Sequence, residues 1–355
     1  MSNVVELKGV SKVFGDLLAV DNVNLEIKDG EFMTFLGPSG CGKTTTLRLI
    51  AGFYACDKGK VYLNNKDVTS VPPNKRDTAM VFQDYALFPH MTVYDNISYG
   101  LKLKDFSKAE IDKKVQNALE QVQLSGLDNR GVDQLSGGQQ QRVAVARALV
   151  MDPVALLMDE PLSNLDAKLR EDVRAELRMI QQEVGITTIY VTHDQDEALT
   201  MSDRIAVMNK GRIEQLGSAQ EIYFNPATRF VADFIGTTNG IEGEVEERSG
   251  EKAFKFNKGS YASVHEDIDT GEAFLSIRPE FIKITPDNTS FNQNYDNVYK
   301  GEIEQVLFVG EKTRYYVKSE DRRWIIDVFG EKNIYSANTF VNIGFNYDDS
   351  NIIYD

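Results

Sequence analysis

The stretch Gly37-Pro38-Ser39-Gly40-Cys41-Gly42-Lys43-Thr44 fits the phosphate-binding loop pattern G-x-x-x-x-G-K-[ST]. Residues 31–36 before it alternate in the manner of a strand, and residues 43–50 after it read as a helix. The glycines let successive backbone N–H groups converge on one anion, and the helix adds the positive end of its dipole. The stretch therefore predicts a nucleotide phosphate site, with Lys43 on the β- and γ-phosphates and Thr44 on Mg²⁺.

Composition favours a soluble globular protein with room for two domains. The chain has 355 residues, of which 42% are hydrophobic and 26% charged, and its formal net charge is −15. Residues 240–355 hold 22 acidic and 13 basic side chains, a net charge of −9, so the C-terminal part is the more acidic one. An acidic chain of this kind argues against nucleic acid or an anionic membrane surface as the main partner.

The cysteines and the apolar runs bear on the compartment. Only Cys41 and Cys56 occur, which argues against a disulfide framework and indicates a reducing compartment. The first eight residues lack the basic and apolar segments of a secretory signal, and no apolar run approaches the ~20 residues that span a bilayer. A membrane role is therefore expected to come through a partner. Cys41, beside a predicted helix N-terminus, is expected to ionise more easily than a free thiol.

Three predicted buried strands are each followed by polar side chains: residues 78–82 by Gln83, residues 154–158 by Asp159 and Glu160, and residues 187–191 by Thr192 and His193. In open α/β sheets, ligands bind at the carboxyl ends of such strands. We therefore expect Asp159 to hold Mg²⁺ and Glu160 to polarise an attacking water. This pattern alone leaves a purely structural role open for Gln83 and His193.

The remaining N-terminal half combines a β-rich and a helical part. Residues 4–36 read as short strands in an antiparallel layer, and Phe14 lies in their first turn, where its ring could stack on a base or pack in the core. From residue 84 to about 134 the pattern is helical. Residues 85–89 are apolar and end in proline, which suits either a docking surface for a partner or the core of this helical part.

A second candidate anion site follows the helical part. Ser136 is a good helix N-cap residue, and Gly137, Gly138 and Gln139 lie between it and a strongly helical run over residues 140–150. Two glycines beside a helix N-terminus leave N–H groups open to an anion. By itself, the pattern fits an ordinary capped helix start equally well.

Residues after about 236 change in character. Short strands separated by tight turns are predicted at 242–247, 253–256, 273–277, 298–309, 313–318, 324–328 and 340–345. This spacing suggests a small β-barrel or sandwich without a phosphate loop of its own.

Taken together, the motifs of the first ~235 residues resemble the ATPase subunit of ATP-binding-cassette transporters. The resemblance rests on motifs that occur in the family's order: the phosphate loop, Gln83, the signature Leu-Ser-Gly-Gly-Gln-Gln-Gln-Arg over residues 135–142, Asp159-Glu160, Ser163-Asn-Leu-Asp166 and Thr192-His193-Asp194. The set is far more specific than any one of its members.

The resemblance implies residue roles. The implied ATP-binding residues are Phe14 at the adenine, Gly37, Pro38, Ser39, Gly40, Cys41, Gly42, Lys43, Thr44 and Thr45 at the phosphates, and Ser136, Gly137, Gly138 and Gln139 at the ATP held by an opposite subunit. The implied catalytic residues are Glu160 as general base, His193 at the γ-phosphate and Gln83 as sensor of the γ-phosphate and metal. The implied Mg²⁺ residues are Thr44, Gln83 and Asp159. Two copies would associate head to tail around two nucleotides, and Asp166 would help communicate between them.

The C-terminal part looks like the TOBE or oligonucleotide-binding-fold-like accessory domain of some bacterial importer ATPases. The matching stretches are residues 276–280, 308–311 and 313–316. Its net charge of −9 argues against nucleic acid, so regulation or subunit contact is the expected role. Residues 72–80 and 85–92 look most similar to the ATPases of importers for polyamines, ferric iron and related small ions, although the ATPases of sugar and glycerol-phosphate importers share much of this sequence.

The sequence thus predicts an α/β phosphate-loop ATPase domain over residues 1–236, followed by an all-β domain over 237–355. The first would have a RecA-like core, an antiparallel β subdomain and a helical subdomain at about 84–150. By the resemblance, the chain would work at the cytoplasmic face of the membrane with two transmembrane permease subunits and, indirectly, an extracytoplasmic solute-binding protein. A cassette ATPase that does not transport, as in DNA repair or translation, is the alternative of another class. The repair type would need a long coiled-coil insertion between Lys43 and Ser136, and the translation type usually has two cassettes in one chain. The sequence shows neither feature.

Overall fold

The structure is a computed structural model that describes residues 3–257, 259–291 and 293–354. Contacts divide the chain into two compact units, the first ending at Gln220 and the second beginning at Glu221. This division falls before residue 236, and the predicted bounds 1–236 and 237–355 stay predictions. Positions 1, 2, 258, 292 and 355 of those ranges lie outside the described residues.

The first unit is built from strands and helices that alternate along much of the chain. Its strands are β1 (Asn3–Phe14), β2 (Leu17–Lys28), β3 (Phe32–Leu36), β4 (Lys58–Leu63), β5 (Lys66–Asp67), β6 (Thr78–Val81), β7 (Ala155–Asp159), β8 (Thr187–Thr192), β9 (Arg204–Asn209) and β10 (Arg212–Gly217). Its helices are α1 (Lys43–Ala51), α2 (Val93–Ser98), α3 (Lys108–Gln121), α4 (Gly137–Leu149), α5 (Ala167–Val184) and α6 (Gln195–Met201). Short 3₁₀ turns occur at Pro73–Lys75, Leu101–Leu103 and Val132–Gln134.

A six-stranded sheet in the order β10-β9-β3-β8-β7-β6 carries the site. Adjacent strands in this sheet are parallel, except in the antiparallel β9–β10 hairpin. Every residue of β3, β7 and β8 is buried, as expected for parallel strands that are covered on both faces. Because β3, β6, β7 and β8 run in one direction, their carboxyl ends meet at one edge.

A second, antiparallel sheet has the order β2-β1-β4-β5. The inward side chains of β1, such as Val5 and Leu7, belong to the same core cluster as Phe35 of β3 and Leu47 of α1. The predicted antiparallel layer beside the phosphate loop is therefore confirmed. This packing fixes β3 and α1, and with them the loop between them.

The helical part of the first unit has well-defined helix starts. Thr92, Ser107 and Ser136 each accept a hydrogen bond from a backbone N–H in the first turn of α2, α3 and α4 respectively. The predicted start of α4 at residue 140 was three residues late. Ser136 caps the helix so closely that Gly137 and Gly138 already belong to its first turn.

The second unit is mainly antiparallel β-structure. Its helices are α7 (Ala219–Phe224), which begins just before it, and α8 (Arg229–Phe234). Its strands are β11 (Asn239–Arg248), β12 (Glu251–Phe256), β13 (Ser260–Ser263), β14 (Gly271–Ile277), β15 (Lys283–Pro286), β16 (Asn297–Phe308), β17 (Lys312–Ser319), β18 (Arg322–Phe329), β19 (Phe340–Phe345) and β20 (Ser350–Ile353), with a 3₁₀ turn at Tyr347–Asp349. They form two sheets, β13-β12-β11-β14-β20 and β15-β19-β16-β17-β18. The predicted all-β class of the C-terminal part is confirmed, while β13, β15 and β20 were not predicted.

A buried ion network joins β17 and β18 in this unit. The Asp327 carboxylate accepts hydrogen bonds from Lys312 Nζ at 2.7 Å and from Arg314 Nε and Nη2 at 2.7 and 2.8 Å. Burial alone would raise the pKa of Asp327, but the hydrogen bonds from Arg314 and Lys312 outweigh it and hold the pKa below its usual range. The ionised carboxylate is therefore part of the folded state.

The described residues contain no helix that is both long enough and apolar enough to cross a membrane.

Candidate nucleotide-binding and catalytic site

The loop between β3 and α1 has the backbone of a phosphate cradle. Gly40 and Gly42 have φ angles of +79° and +106°, in the left-handed region that favours glycine. A Cβ atom at Gly37 would lie 2.3 Å from the Met208 carbonyl oxygen, and one at Gly42 would lie 2.4 Å from that of Ala19. Neither position has room for a side chain, so the loop requires glycine there.

The start of α1 offers groups for an anion. Among the described residues, no side chain forms a cap hydrogen bond at the N-terminus of α1, where Gly42 is the N-cap, and the first turn holds no acidic residue. Lys43 is buried, with Nζ 2.7 Å from the Gly37 carbonyl oxygen and 3.1 Å from that of Pro38. The ammonium is thus held over the start of the loop. These features suit the phosphates of a nucleotide.

Cys41 does not have the reactive thiol that its position predicts. The residue is only 3% exposed, and burial raises the pKa of its thiol despite nearby Lys43. The prediction of easier ionisation was wrong, because desolvation of a thiolate outweighs the charge of Lys43 and the backbone hydrogen bonds here. Cys41 can still serve the loop through its backbone.

Thr44 and Asp159 meet where the metal was predicted. The Thr44 Oγ1 hydroxyl donates to Asp159 Oδ1 at 2.8 Å, although the two residues lie 115 positions apart. Asp159 is buried at the end of β7, and burial raises the pKa of its carboxyl against the Thr44 hydrogen bond and the nearby Arg48, whose Nη2 lies 3.7 Å from Oδ2. No cluster of three or more His, Cys, Asp or Glu side chains suited to a metal occurs among the described residues. One hydroxyl and one carboxylate fit Mg²⁺, which takes its other ligands from phosphate and water.

Glu160, which follows β7, and His193, which follows β8, contact each other at the same edge of the sheet. His193 Nδ1 lies 3.1 Å from Glu160 Oε2. The Glu160 backbone is in the left-handed region at φ +46°, its N–H donates to the Val191 carbonyl at 3.0 Å, and its own carbonyl accepts from Ser163 Oγ at 2.9 Å. A non-glycine residue held in this conformation is typical of functional sites. The pair brings together a carboxylate, a group that can accept a proton, and an imidazole.

Gln83 lies close to this edge but is less tightly placed. It follows the end of β6 by two residues, is exposed, and its carbonyl accepts a hydrogen bond from Asn164 Nδ2 at 2.9 Å. Asn164 belongs to the stretch Ser163-Asn-Leu-Asp166, whose Asp166 caps α5. Sequence reasoning missed this link between two of the quoted motifs.

Phe14 has the exposure that stacking on a base requires. It ends β1 with 40% of its surface exposed, and its ring lies 5.2 Å from that of Tyr54 in an edge-on arrangement. The Tyr54 hydroxyl accepts from Arg48 Nη1 at 3.3 Å. Neither Arg48 nor Tyr54 was predicted, although Arg48 lies one helical turn after Thr44 and therefore on the same face of α1.

The signature residues form a separate group at the start of α4. Ser136 Oγ accepts from Gln139 N–H at 3.3 Å, and Gln139 Oε1 accepts from Ser136 N–H at 3.0 Å, which is a full capping box. Cβ atoms at Gly137 and Gly138 would lie 2.8 Å from Leu165 and 2.9 Å from Val173. Gly138 thus packs closely against Val173 of α5 and Gly137 against Leu165 just before α5, so a side chain at either position would require its neighbour to shift.

Comparison with known proteins agrees with this geometry. Residues 20–163 match the family described as ABC transporter, and residues 275–350 match the TOBE domain. The spermidine/putrescine import ATP-binding protein PotA of Thermobifida fusca is 49% identical over 342 residues, which are 94% of this chain and 88% of that protein. PotA of Acetivibrio thermocellus is 46% identical over 328 residues, 91% of this chain and 89% of that protein.

This chain belongs to the ABC transporter family. The predicted resemblance and the predicted accessory domain are thereby confirmed, and the protein is an ATP-binding ATPase subunit.

Solved ABC structures support the same fold. The chain aligns with cbiO1 of Clostridium perfringens, part of the cbiONQ transporter complex, at a TM-score of 0.58 and 31% identity, covering 62% of this chain and 91% of that one. It also aligns with a dimeric ABC cassette bound to ADP and phosphate after hydrolysis, at a TM-score of 0.53 and 34% identity, covering 61% and 98%. A pair of cassettes is thus an established arrangement for a related ABC protein.

Proposed function

We propose that this protein is the ATP-hydrolysing subunit of a bacterial importer for spermidine, putrescine or a closely related polyamine. The observation that carries the proposal is the meeting of the phosphate loop, Asp159, Glu160 and His193 at one sheet edge in a chain that is 49% identical to a polyamine import subunit. The name of that relative favours polyamines over the ferric-iron, sugar and glycerol-phosphate importers.

The described side chains suggest how hydrolysis proceeds. Mg²⁺, held by the Thr44 hydroxyl and the Asp159 carboxylate with Gln83 nearby, would neutralise charge on the β- and γ-phosphates. Glu160 takes a proton from the attacking water. When the His193 imidazole is protonated, Nδ1 donates to Glu160 and Nε2 is free to donate to a phosphate oxygen. Positioning and charge stabilisation supply most of the catalysis in phosphoryl transfer.

A second copy of the chain completes each site. The N–H groups at the start of α4 and the Ser136 hydroxyl would bind the ATP held by the partner's phosphate loop, while Phe14 stacks on the adenine of its own copy. The dimeric ABC cassette bound to ADP and phosphate supports this arrangement. Asp166, which caps α5 beside the signature glycines, would respond to the closing of the pair.

Two transmembrane permease subunits would bind the dimer at the cytoplasmic face of the membrane. Residues 85–88 are proposed to receive a cytoplasmic helix of those subunits. An extracytoplasmic solute-binding protein would deliver the polyamine. Residues 1–236 would form the ATPase domain, with the helical subdomain at about 84–150, and residues 237–355 a TOBE domain with a regulatory or subunit-contact role.

Reconstitution tests the proposal. The two permease subunits and the solute-binding protein whose genes adjoin this one would be purified with the chain and placed in liposomes. Spermidine-loaded binding protein should stimulate ATP hydrolysis and spermidine should accumulate, whereas ferric iron and maltose should do neither. Stimulation by either of those instead of spermidine would refute the solute assignment, and no stimulation by any solute would refute the importer assignment.

A further inference from the structure

The proposed docking segment, residues 85–88, is held in an unusual backbone conformation. Tyr85 and Ala86 have φ angles of +62° and +47°, so two consecutive non-glycine residues lie in the left-handed region. Tyr85 is buried with 6% of its surface exposed, and its ring belongs to the core cluster that includes α4. Such a conformation persists only where the surroundings hold it in place.

Two side chains from different helices hold the segment. Arg147 of α4 donates from Nη1 to the Ala86 carbonyl and from Nη2 to the Tyr85 carbonyl, both at 2.7 Å, and its guanidinium lies 5.8 Å from the centre of the Phe88 ring. Asn96 of α2 accepts from Phe88 N–H at 2.8 Å and donates to the Phe88 carbonyl at 3.1 Å. The planar fork of Arg147 therefore fixes the two strained residues directly.

The helix that carries Arg147 is also the helix that carries the signature residues. α4 runs from Gly137 to Leu149 with Ser136 as its N-cap, so Arg147 and Ser136 lie at opposite ends, roughly 16 Å apart at 1.5 Å per residue. Eight residues of α4 are buried, including Gln141 and the run from Val143 to Ala146. If α4 moves as one packed body, a displacement of residues 85–88 would reach Ser136 through Arg147.

We propose that Arg147 is a positioning residue that couples a partner docked on residues 85–88 to the signature residues 136–139. The inference rests on the proposed function, because the partner is the permease helix of that proposal. Asn96 also holds the segment, but through α2, so it supports the segment's shape without a direct bond to the signature helix. In the described contacts, Arg147 bonds to Tyr85 and Ala86 and to none of the residues proposed to bind phosphate or Mg²⁺.

The chain offers a matched control. Arg178 of α5 donates to Gln181 at 2.7 Å and to Asp203 at 2.5 Å, and its guanidinium lies 5.4 Å from the centre of the Phe32 ring. Arg178 thus makes three side-chain hydrogen bonds, two of them to the Asp203 carboxylate, where Arg147 makes two to backbone carbonyls, and both arginines have an aromatic contact. Arg178 lies near the amino end of β3, away from the docking segment. Arg178→Met should therefore report general loss of packing.

The experiment compares ATP hydrolysis by the full-length chain alone with hydrolysis by the complete transporter stimulated with spermidine-loaded binding protein. Arg147→Met should leave the basal rate within about twofold of wild type and lower the ratio of stimulated to basal rate by roughly 2- to 30-fold. Arg147→Lys, which keeps the charge without the two-pronged fork, should lower it less. Arg178→Met should leave the ratio unchanged, and thermal unfolding temperatures would be recorded for all variants.

The coupling role of Arg147 and the proposed importer function fail in different ways. If wild type is not stimulated at all, the proposed importer function fails. If wild type is stimulated and Arg147→Met retains the full ratio, the coupling role of Arg147 is refuted. An equal fall in basal and stimulated rates would also refute it, since that is the pattern of a merely structural residue. Should Arg147→Met fail to fold, the ratio for Arg147→Lys against Arg178→Lys decides in the same way.

Discussion

Glu160→Gln should abolish most ATP turnover while leaving ATP binding intact. The substitution keeps the side-chain shape. His193 Nδ1 lies 3.1 Å from Oε2 of the native Glu160, and the amide oxygen of the variant can still accept a hydrogen bond from it. The backbone bonds to Val191 and Ser163 do not involve the side chain, so the strained turn should persist and stability should stay within about 0.5 kcal/mol of wild type. What is lost is a group able to take a proton from water.

The expected magnitude follows from that single loss. Removal of a general base typically costs ~10²–10⁴ in rate, which is about 2.7–5.4 kcal/mol of transition-state stabilisation at 1.36 kcal/mol per decade. Phosphate release in a single turnover at saturating MgATP gives the rate, and size-exclusion chromatography with ATP gives the dimer fraction. With hydrolysis blocked, the ATP-bound dimer should accumulate.

Glu183→Gln, on the exposed side of α5, is the matched control and should hydrolyse ATP at the wild-type rate. A loss of less than about tenfold in Glu160→Gln would rule out Glu160 as the base. A parallel loss of ATP affinity would instead assign Glu160 to binding.

Three further substitutions or modifications test other parts of the molecule. Lys43→Ala should weaken ATP binding by ~10-fold or more, since a charged hydrogen-bond donor contributes about 1.5–3 kcal/mol, as titration with a fluorescent ATP analogue would measure. Iodoacetamide should modify the half-buried Cys56 before Cys41, which peptide mass mapping over time would show; burial raises the pKa of both thiols, but Cys41 is also closed to solvent. Asp327→Asn should lower the free energy of unfolding by about 3 kcal/mol at pH 7, because Lys312 and Arg314 lose the buried carboxylate that pairs with them; urea denaturation is the assay. The pKa of Asp327 is lowered, so its stabilisation is present above the ordinary Asp value near 3.8 and lost as pH falls through the lower folded value, and the variant should differ least from wild type in strong acid.

Contrary results would be equally clear. Tight ATP binding by Lys43→Ala would contradict the phosphate-loop role, and rapid labelling of Cys41 would mean that the loop opens readily in solution. An unchanged urea midpoint for Asp327→Asn would mean that the ion network contributes no net stability.

Much of the site could be predicted because its residues follow strands whose burial is evident in the sequence. Residues 154–158 are wholly apolar and residues 187–191 are all β-branched or aromatic, as is typical of buried strands, so the sequence predicts Asp159 and His193 at one edge of a sheet. The structure adds the pairing of each residue, namely Asp159 with Thr44 and His193 with Glu160. Pairings of this kind depend on side-chain direction, which periodicity does not encode.

Properties that depend on desolvation could not be predicted in the same way. The position of Cys41 beside a helix N-terminus suggested a reactive thiol, but the residue is buried in a core cluster that includes Ala206 and Met208 of β9, which are distant in sequence. The edge strands β13, β15 and β20 were missed because each is only four residues long and has little apolar alternation. Likewise, the two arginine-bonded carbonyls of residues 85 and 86 leave no trace in the local pattern.

The capping box at Ser136 and Gln139 has a consequence for the affinity of one copy for another. Each side chain already accepts a hydrogen bond from the other residue's backbone N–H in the single chain, and in the described contacts neither the Ser136 hydroxyl nor the Gln139 amide group donates one. Ordering a side chain at an interface costs about 0.5–1.5 kcal/mol, and here that cost falls on folding rather than on association. The surface that we propose to close over the partner's nucleotide would therefore be preorganised, so the affinity of one copy for another should depend little on local rearrangement and mainly on whether the nucleotide is present.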